Sequence, residues 1–179
     1  MLANPLLPCE ENGRLNDPLL RENFVARVFA YKHWQTVFES GLTKHKLTTF
    51  HSYYKYTVMS HDLIAYKELG QLLARADLPL DEMAAQYILG LMTALKIVAT
   101  RKKHANTLAH IQGYFSKHLQ ADERQELCEQ IDAYREGLIP LMAPLTLIKH
   151  YLLRYPKEYL TQQAYLSPYP EKLRLRYAY

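Results

Sequence analysis

The chain has 179 residues, 49% hydrophobic and 22% charged, with 6 Gly and 9 Pro, which fits one ordinary globular domain and excludes a disordered, collagen-like or disulfide-stapled scaffold. Lys and Arg number 22 against 18 Asp and Glu, a net charge of +4, modest for a nucleic-acid binder, so local clustering of cations matters more than their sum. Cys9 and Cys128 form no CxxC pair and cannot supply a cluster held by several thiolates.

Residues 1–16 carry prolines without periodicity, and an extended lead-in is expected ahead of a domain at 17–179. The start, MLANPLLPC, has no basic n-region, unlike a signal peptide, and no run approaches the roughly 18 apolar residues of a membrane span. A cytoplasmic protein is expected. Asp17-Pro18 opens a first helix with a stripe of Leu20, Phe24, Val28 and Tyr31, ending at Gly41. Leu47, Phe50, His51, Tyr54 and Val58 mark a second helix, and a third, capped by Ser60 or Asp62, runs through Leu69, Leu72 and Leu73 to about Arg75. After Leu78-Pro79, Asp81 opens a helix spanning Met83 to Val98. A fifth is predicted over about 103–119, joined to it near Thr100. Asp122 and Gln125 resemble a capping box ahead of Leu127, Ile131 and Tyr134, with Gly137 closing that helix. A seventh helix holds Pro144 in its first turn, carries Leu147, Ile148, Tyr151 and Leu152, and stops at Pro156. A short one over about 157–165 follows, and SPYPEKLRLRYAY reads as an extended basic segment on the surface. The fold class is all-α, a single bundle of seven or eight helices.

The densest basic run, Arg101-Lys102-Lys103-His104, lies at a handover between helices. On a helix over 103–119, Lys103, Asn106, His110, Gly113 and Lys117 share an arc of about 80°. The other side holds Ala105, Leu108, Ile111, Phe115 and Leu119, a core stripe. The polar arc suits a sugar-phosphate backbone, and equally suits a plain solvated face. His51 and His104 fall with apolar neighbours and are expected as core histidines bonded to backbone or a carboxylate. His51, His61, His104, His110 and His150 lack the spacing of a metal site, so no metal and no cofactor is expected. Fifteen tyrosines, several beside cations as in Tyr54-Lys55-Tyr56 and Arg176-Tyr177, could stack on bases, but for most of them a place at the core edge is preferred. No GxSxG turn, glycine-rich phosphate loop or acid/base carboxylate pair is present.

The stretches RENFVARVFAYKHW (21–34), LTTFHSYYKYTVMSH (47–61), YKELGQLLA (66–74), TRKKHANTLAHIQGYFSKHL (100–119), YREGLIPLMAPLTLIKHYL (134–152) and YLTQQAYLSPYPEKLRLR (159–176) together resemble the YbgA family. It is an all-helical family whose domain occurs alone or fused behind a thiouracil desulfidase domain that holds an iron-sulfur cluster. The chain resembles the standalone form, and LPCEENGRLNDP resembles the junction of the fused one. The resemblance implies a link to 4-thiouridine in tRNA, with the desulfidase doing the chemistry and this domain holding the tRNA. The implied RNA-contacting positions are Arg101, Lys102, Lys103, His104, Asn106, His110 and Lys117, then Lys149, His150, Arg174 and Arg176.

The expected function is therefore a non-catalytic RNA-binding module that takes tRNA as partner and assists a separate desulfidase. Two other classes stay open. One is an enzyme acting on a modified nucleoside or small thiolated compound through a pocket of His51, His61, His104 and His150. The other is a protein adaptor that docks a desulfidase through an apolar patch.

Overall fold

The computed structural model describes residues 5–178. Met1–Asn4 of the lead-in and Tyr179 of the basic tail lie outside the described residues, as do the side chains of Tyr177 and Ala178. The described residues form eight α-helices and no strand: α1 (Pro18–Glu39), α2 (Lys44–His61), α3 (Leu63–Ala74), α4 (Leu80–Lys96), α5 (Arg101–Gln112), α6 (Ala121–Glu136), α7 (Met142–Arg154) and α8 (Glu158–Thr161). The all-α class is borne out.

Caps set most of the boundaries. Asp17 accepts the amides of Leu19 and Leu20, with Pro18 in the first turn of α1. Between Ser60 and Asp62, it is Asp62 that caps α3, its carboxylate accepting the Ile64 and Ala65 amides. Thr100 Oγ1 accepts the Lys103 amide at the start of α5. The capping contact of α6 sits earlier than expected, with the Glu123 carboxylate accepting the Gln120 amide at 2.9 Å, and Asp122 lies in the first turn instead. Gly137, at φ +87°, ends α6 in the left-handed region where a Cβ would be strained.

Four segments depart from expectation. α5 ends at Gln112, and Gly113–Phe115 tighten into a 3-10 turn; the glycine favours continuation poorly, and the turn still buries Phe115 and Leu119. α8 spans only Glu158–Thr161. The tail is not extended on the surface: it folds into 3-10 turns at Glu171–Leu173 and Leu175–Ala178, because Arg176 is drawn inward to a buried carboxylate. Ahead of α1, Gly13–Asn16 likewise form a 3-10 turn, and Cys9 O accepts from the Arg27 guanidinium at 2.9 Å.

Two apolar clusters make up the core, and α2 lies between them. Phe50, Tyr54 and Val58 of α2 join Trp34, Leu69, Tyr87 and Leu91 on one side. Tyr56 and Met59 join Leu108, Leu127, Ile148 and Tyr165 on the other. Six successive residues of α2, Tyr56 through His61, are consequently buried. After α8 the chain crosses both clusters, Ala164 entering one and Tyr165 and Leu166 the other, with the Ala164 amide donating to Tyr53 O at 3.0 Å.

α1 presents a different face from its expected stripe. The buried residues are Asn23, Arg27, Ala30 and Trp34, while Val28 is 40% exposed. The inward face tolerates two polar groups because each has partners: Asn23 Nδ2 donates to Leu95 O at 3.0 Å, and Arg27 reaches Cys9 O and lies beside Glu10.

Leu108 is wholly buried, whereas Leu153 is 82% exposed. Leu108→Ala should lower unfolding free energy by about 2–5 kcal/mol and Leu153→Ala by less than about 0.5 kcal/mol in urea titrations. Equal losses would contradict the packing.

Candidate functional site

The first turn of α5 carries the expected basic run, and the structure divides it. Arg101 is exposed, but its guanidinium lies over the Tyr134 ring, 5.3 Å from the centroid, and donates to the Tyr134 and Ile139 carbonyls at 3.4 Å. It thus serves the C-terminal end of α6, where a cation is favoured. Lys103 is half-buried, and its ammonium donates to His61 O at 2.6 Å, closing the end of α2. It is not an outward contact, which corrects the expectation. His104 is also turned inward: Nδ1 lies 3.0 Å from the Tyr165 hydroxyl.

Lys102, Asn106 and His110 remain exposed, and none of their side chains has a hydrogen-bond or ion-pair partner among the described residues. They recur at i, i+4 and i+8 and share one face of α5. Lys117 is exposed but beyond the end of the helix, so the arc expected to run from Lys103 through Gly113 to Lys117 is broken. Lys149 pairs with Glu171 at 3.2 Å. His150 and Arg174 are exposed, His150 on α7 beside the Tyr151 ring and Arg174 in the tail at φ 51°. Arg176 is buried and cannot be a surface contact: its Nε lies 3.0 Å from Glu22 Oε1, and NH1 donates to Tyr165 O at 2.7 Å. Desolvation of its charge is offset by that carboxylate and carbonyl.

Beneath the first turn of α5 lies a cavity of about 330 Å³. Its polar lining includes Glu22 and Asn23 from α1, Thr57 and His61 from α2, Arg101 and His104 from α5, Tyr134 from α6, and Arg176 from the tail. Leu19, Ala26, Val98, Ala99 and Pro168 supply apolar surface. Of the four histidines expected in a pocket, His61 and His104 meet here. His51 is elsewhere, Nδ1 3.2 Å from the Tyr87 hydroxyl, and His150 lines a separate open groove. Both core histidines, His51 and His104, bond tyrosine hydroxyls rather than backbone or a carboxylate. Among the described residues no group of three or more His, Cys, Asp or Glu is placed to hold a metal ion.

The cavity is electropositive for a structural reason. Glu22 is its one carboxylate, and Oε1 already takes Arg176 and the Tyr169 hydroxyl. Burial, reinforced by Arg176 and His61, holds His104 well below the usual imidazole range. Burial likewise lowers His61, against the raising influences of the Ile97 carbonyl and Glu22. A carbonyl only accepts, so His61 carries its proton on Nδ1, toward Ile97 O at 2.5 Å, and keeps Nε2 as a lone-pair acceptor. Thr57, 5% exposed, has no partner for its hydroxyl.

Glu22, Asn23, Thr57 and Tyr134 went unremarked as site residues in the sequence. The one local signal was on α1, where Asn23 and Arg27 fall in the same helical phase as Ala30 and Trp34. Seven of the fifteen tyrosines, Tyr54, Tyr56, Tyr87, Tyr134, Tyr151, Tyr165 and Tyr169, lie deeper than the core edge expected of them and are buried, while Tyr31, Tyr53, Tyr66, Tyr155 and Tyr159 pack partly buried at the edge of the two clusters.

A family described as a protein of unknown function, DUF1722, matches residues 55–170. The chain is 36% identical over 159 residues to an uncharacterized protein YbgA of Escherichia coli (strain K12), an alignment covering 88% of this chain and 94% of that protein. No solved structure matches the chain. No helix among the described residues is long and apolar enough to cross a membrane.

Burial holds His51, His61 and His104 below the ordinary imidazole value, His51 at about 4. The unfolded chain therefore binds more protons as pH falls below about 6.5, and the stability these neutral rings confer is complete above that value and is lost toward their folded pKa. Urea midpoints should hold steady above pH 7 and fall between pH 6.5 and 5, with a shallower fall in His51→Gln. A profile flat down to pH 5 would contradict the assignment.

Proposed function

The chain belongs to the YbgA (DUF1722) family, and from that premise we propose that it is an RNA-binding helical module that grips tRNA and assists a separate thiouracil desulfidase in 4-thiouridine removal. Its own contribution is grip and not chemistry. The observation that carries the reading is the row Lys102, Asn106 and His110 on the exposed face of α5, a cation, an amide and an imidazole with no intramolecular partner among the described residues. Such groups bind phosphate and sugar oxygens and fix register on an RNA without reading its sequence. Arg101 flanks the row, and Lys117, exposed beyond the helix end, lies outside it. Lys103 and Arg176 stay out of this footprint, since their charges are used inside the fold.

A second reading, acid/base chemistry on a modified nucleoside, is favoured by the free Nε2 of His61 in a cavity shared with His104. Turnover of 4-thiouridine by the purified chain alone would establish it in place of the binding role.

The affinity for tRNA should fall with rising salt, and Lys102→Ala should flatten the log–log slope by about 0.9 on a duplex contact or about 0.7 on a single strand. Arg101→Ala with Lys102→Ala should flatten it further. Unchanged affinity and slope in the double variant would overturn the footprint. Equal affinity for tRNA with and without 4-thiouridine is the expected result for a module that recognises backbone and shape.

A further inference from the structure

Past the end of α5, two short segments lie side by side. Gly113–Phe115 tighten into a 3-10 turn that buries Phe115 and leaves Tyr114 40% exposed. Pro156 follows the end of α7 and Lys157 leads into α8. The two segments run in opposite directions, the Tyr114 ring 5.7 Å from the Tyr159 ring and His118 Nε2 3.2 Å from Lys157 Nζ. Leu119 and Leu160 anchor both in one apolar cluster, so the side chains at this junction stand on a fixed base. We propose that the junction binds one unpaired nucleotide of RNA, its base stacked on Tyr114 and its phosphate held by His118 and Lys157. The inference rests on the RNA-binding reading and adds to it the part of an RNA, a single-stranded loop or end, that a grip on backbone alone does not select.

The phosphate end follows from charge. Lys157 Nζ donates to His118 Nε2, and neither residue has an ion pair with a carboxylate among the described residues, nor does the exposed Lys117. Acids close by are already taken: Glu123 by Arg154 and the Gln120 amide, and Glu158 by Gln162 Nε2 at 3.2 Å. Two basic groups held together without an acid between them repel once both are charged, and an anion that touches both removes that repulsion. Groups 3.2 Å apart can share the oxygens of a single phosphate. Lys55 of α2 adds a further cation, its ammonium 5.5 and 5.7 Å from the centroids of the Tyr56 and Tyr159 rings.

The base end follows from the rings. Tyr114 packs against Tyr159 at 30° and meets Tyr56 edge-on at 89°. Two neighbours thus hold its orientation while 40% of the residue stays open. An exposed ring fixed in this way is a stacking platform for any base. Tyr114 and His118 are four residues apart, about 8 Å along a 3-10 path, a separation suited to one nucleotide with its base at one end and a phosphate at the other. Bases inside a duplex are already stacked on each other, so the platform serves an unpaired one. An acidic peptide would engage the cations and leave the ring unused.

The full chain is titrated across a salt series with a single-stranded oligouridylate, an abasic ribose-phosphate strand of equal length, an RNA duplex, and an oligoglutamate of matched charge. Tyr114→Leu should weaken the oligouridylate about fivefold or more while leaving its salt slope, the abasic strand and the duplex unchanged. Tyr114→Phe should bind as wild type does. Lys157→Gln should flatten the slope by about 0.7 for both single strands, and His118→Gln should weaken both about two- to fivefold. Melting temperatures should stay near wild type in the Lys157 and His118 variants. A ring or ammonium with only a structural task would not separate affinity from salt slope in this way.

Oligouridylate binding to Tyr114→Leu as to wild type, or an unchanged slope in Lys157→Gln, overturns the site. Oligoglutamate binding as tightly as RNA overturns it in favour of an acidic peptide. Failure of the α5 footprint looks different: Lys102→Ala would leave tRNA affinity and slope intact while Tyr114→Leu still weakened the oligouridylate. If no RNA binds at all, both readings fall.

Discussion

The Glu22 carboxylate ties the first helix to the end of the chain. Its Oε1 accepts from Arg176 Nε at 3.0 Å and from the Tyr169 hydroxyl at 2.9 Å, across sequence separations of 154 and 147 residues. Arg176 also donates to Tyr165 O, and the Tyr165 ring carries the hydroxyl that meets His104 of α5. A chain of polar contacts thus runs from α1 through the tail to α5 and makes one wall of the cavity. An ion pair buried this far is a constraint more than a source of stability. Two hydrophobic residues would cost less desolvation, but removing one partner alone strands a charge in the interior. The pairing specifies where the tail must lie, and the cavity keeps its shape because of it.

Cations elsewhere in the fold follow a related logic. Helices end in carbonyl groups without intrahelical partners, and those carbonyls attract positive charge. Lys103 answers that need at the end of α2 and Arg101 at the end of α6. Two members of the basic run are therefore partly committed to joining helices. Their commitment aligns the first turn of α5 with the cavity, while Lys102, one residue away, points out. Grip and pocket come to share one helix start for this reason.

How much of this was legible in the sequence depended on range. Helix existence, the Asp17-Pro18 start, the Gly137 stop and the apolar stripes of α2, α6 and α7 rest on periodicity and on contacts within a turn, so they can be read locally. The inward place of His104 was legible too, since it follows from its spacing to Leu108 and Ile111. The phase of α1 was not: a stripe through Val28 is more apolar than one through Asn23 and Arg27, and only the distant Leu95 and Cys9 carbonyls make the polar face the better one to bury. The tail misled for the same reason. Alternating Leu and Arg describe a surface segment until Glu22 is placed opposite Arg176, and nothing within a few residues of either announces the other.

The most direct measurement is a double-mutant cycle on the unfolding free energy using Glu22→Gln, Arg176→Gln and the two together. If the pair locks the tail over the cavity, each single change costs about 3–5 kcal/mol and the double change costs far less than their sum, because the second substitution removes the stranded charge left by the first. Single losses that simply add, or that are each below about 0.5 kcal/mol, would contradict the account.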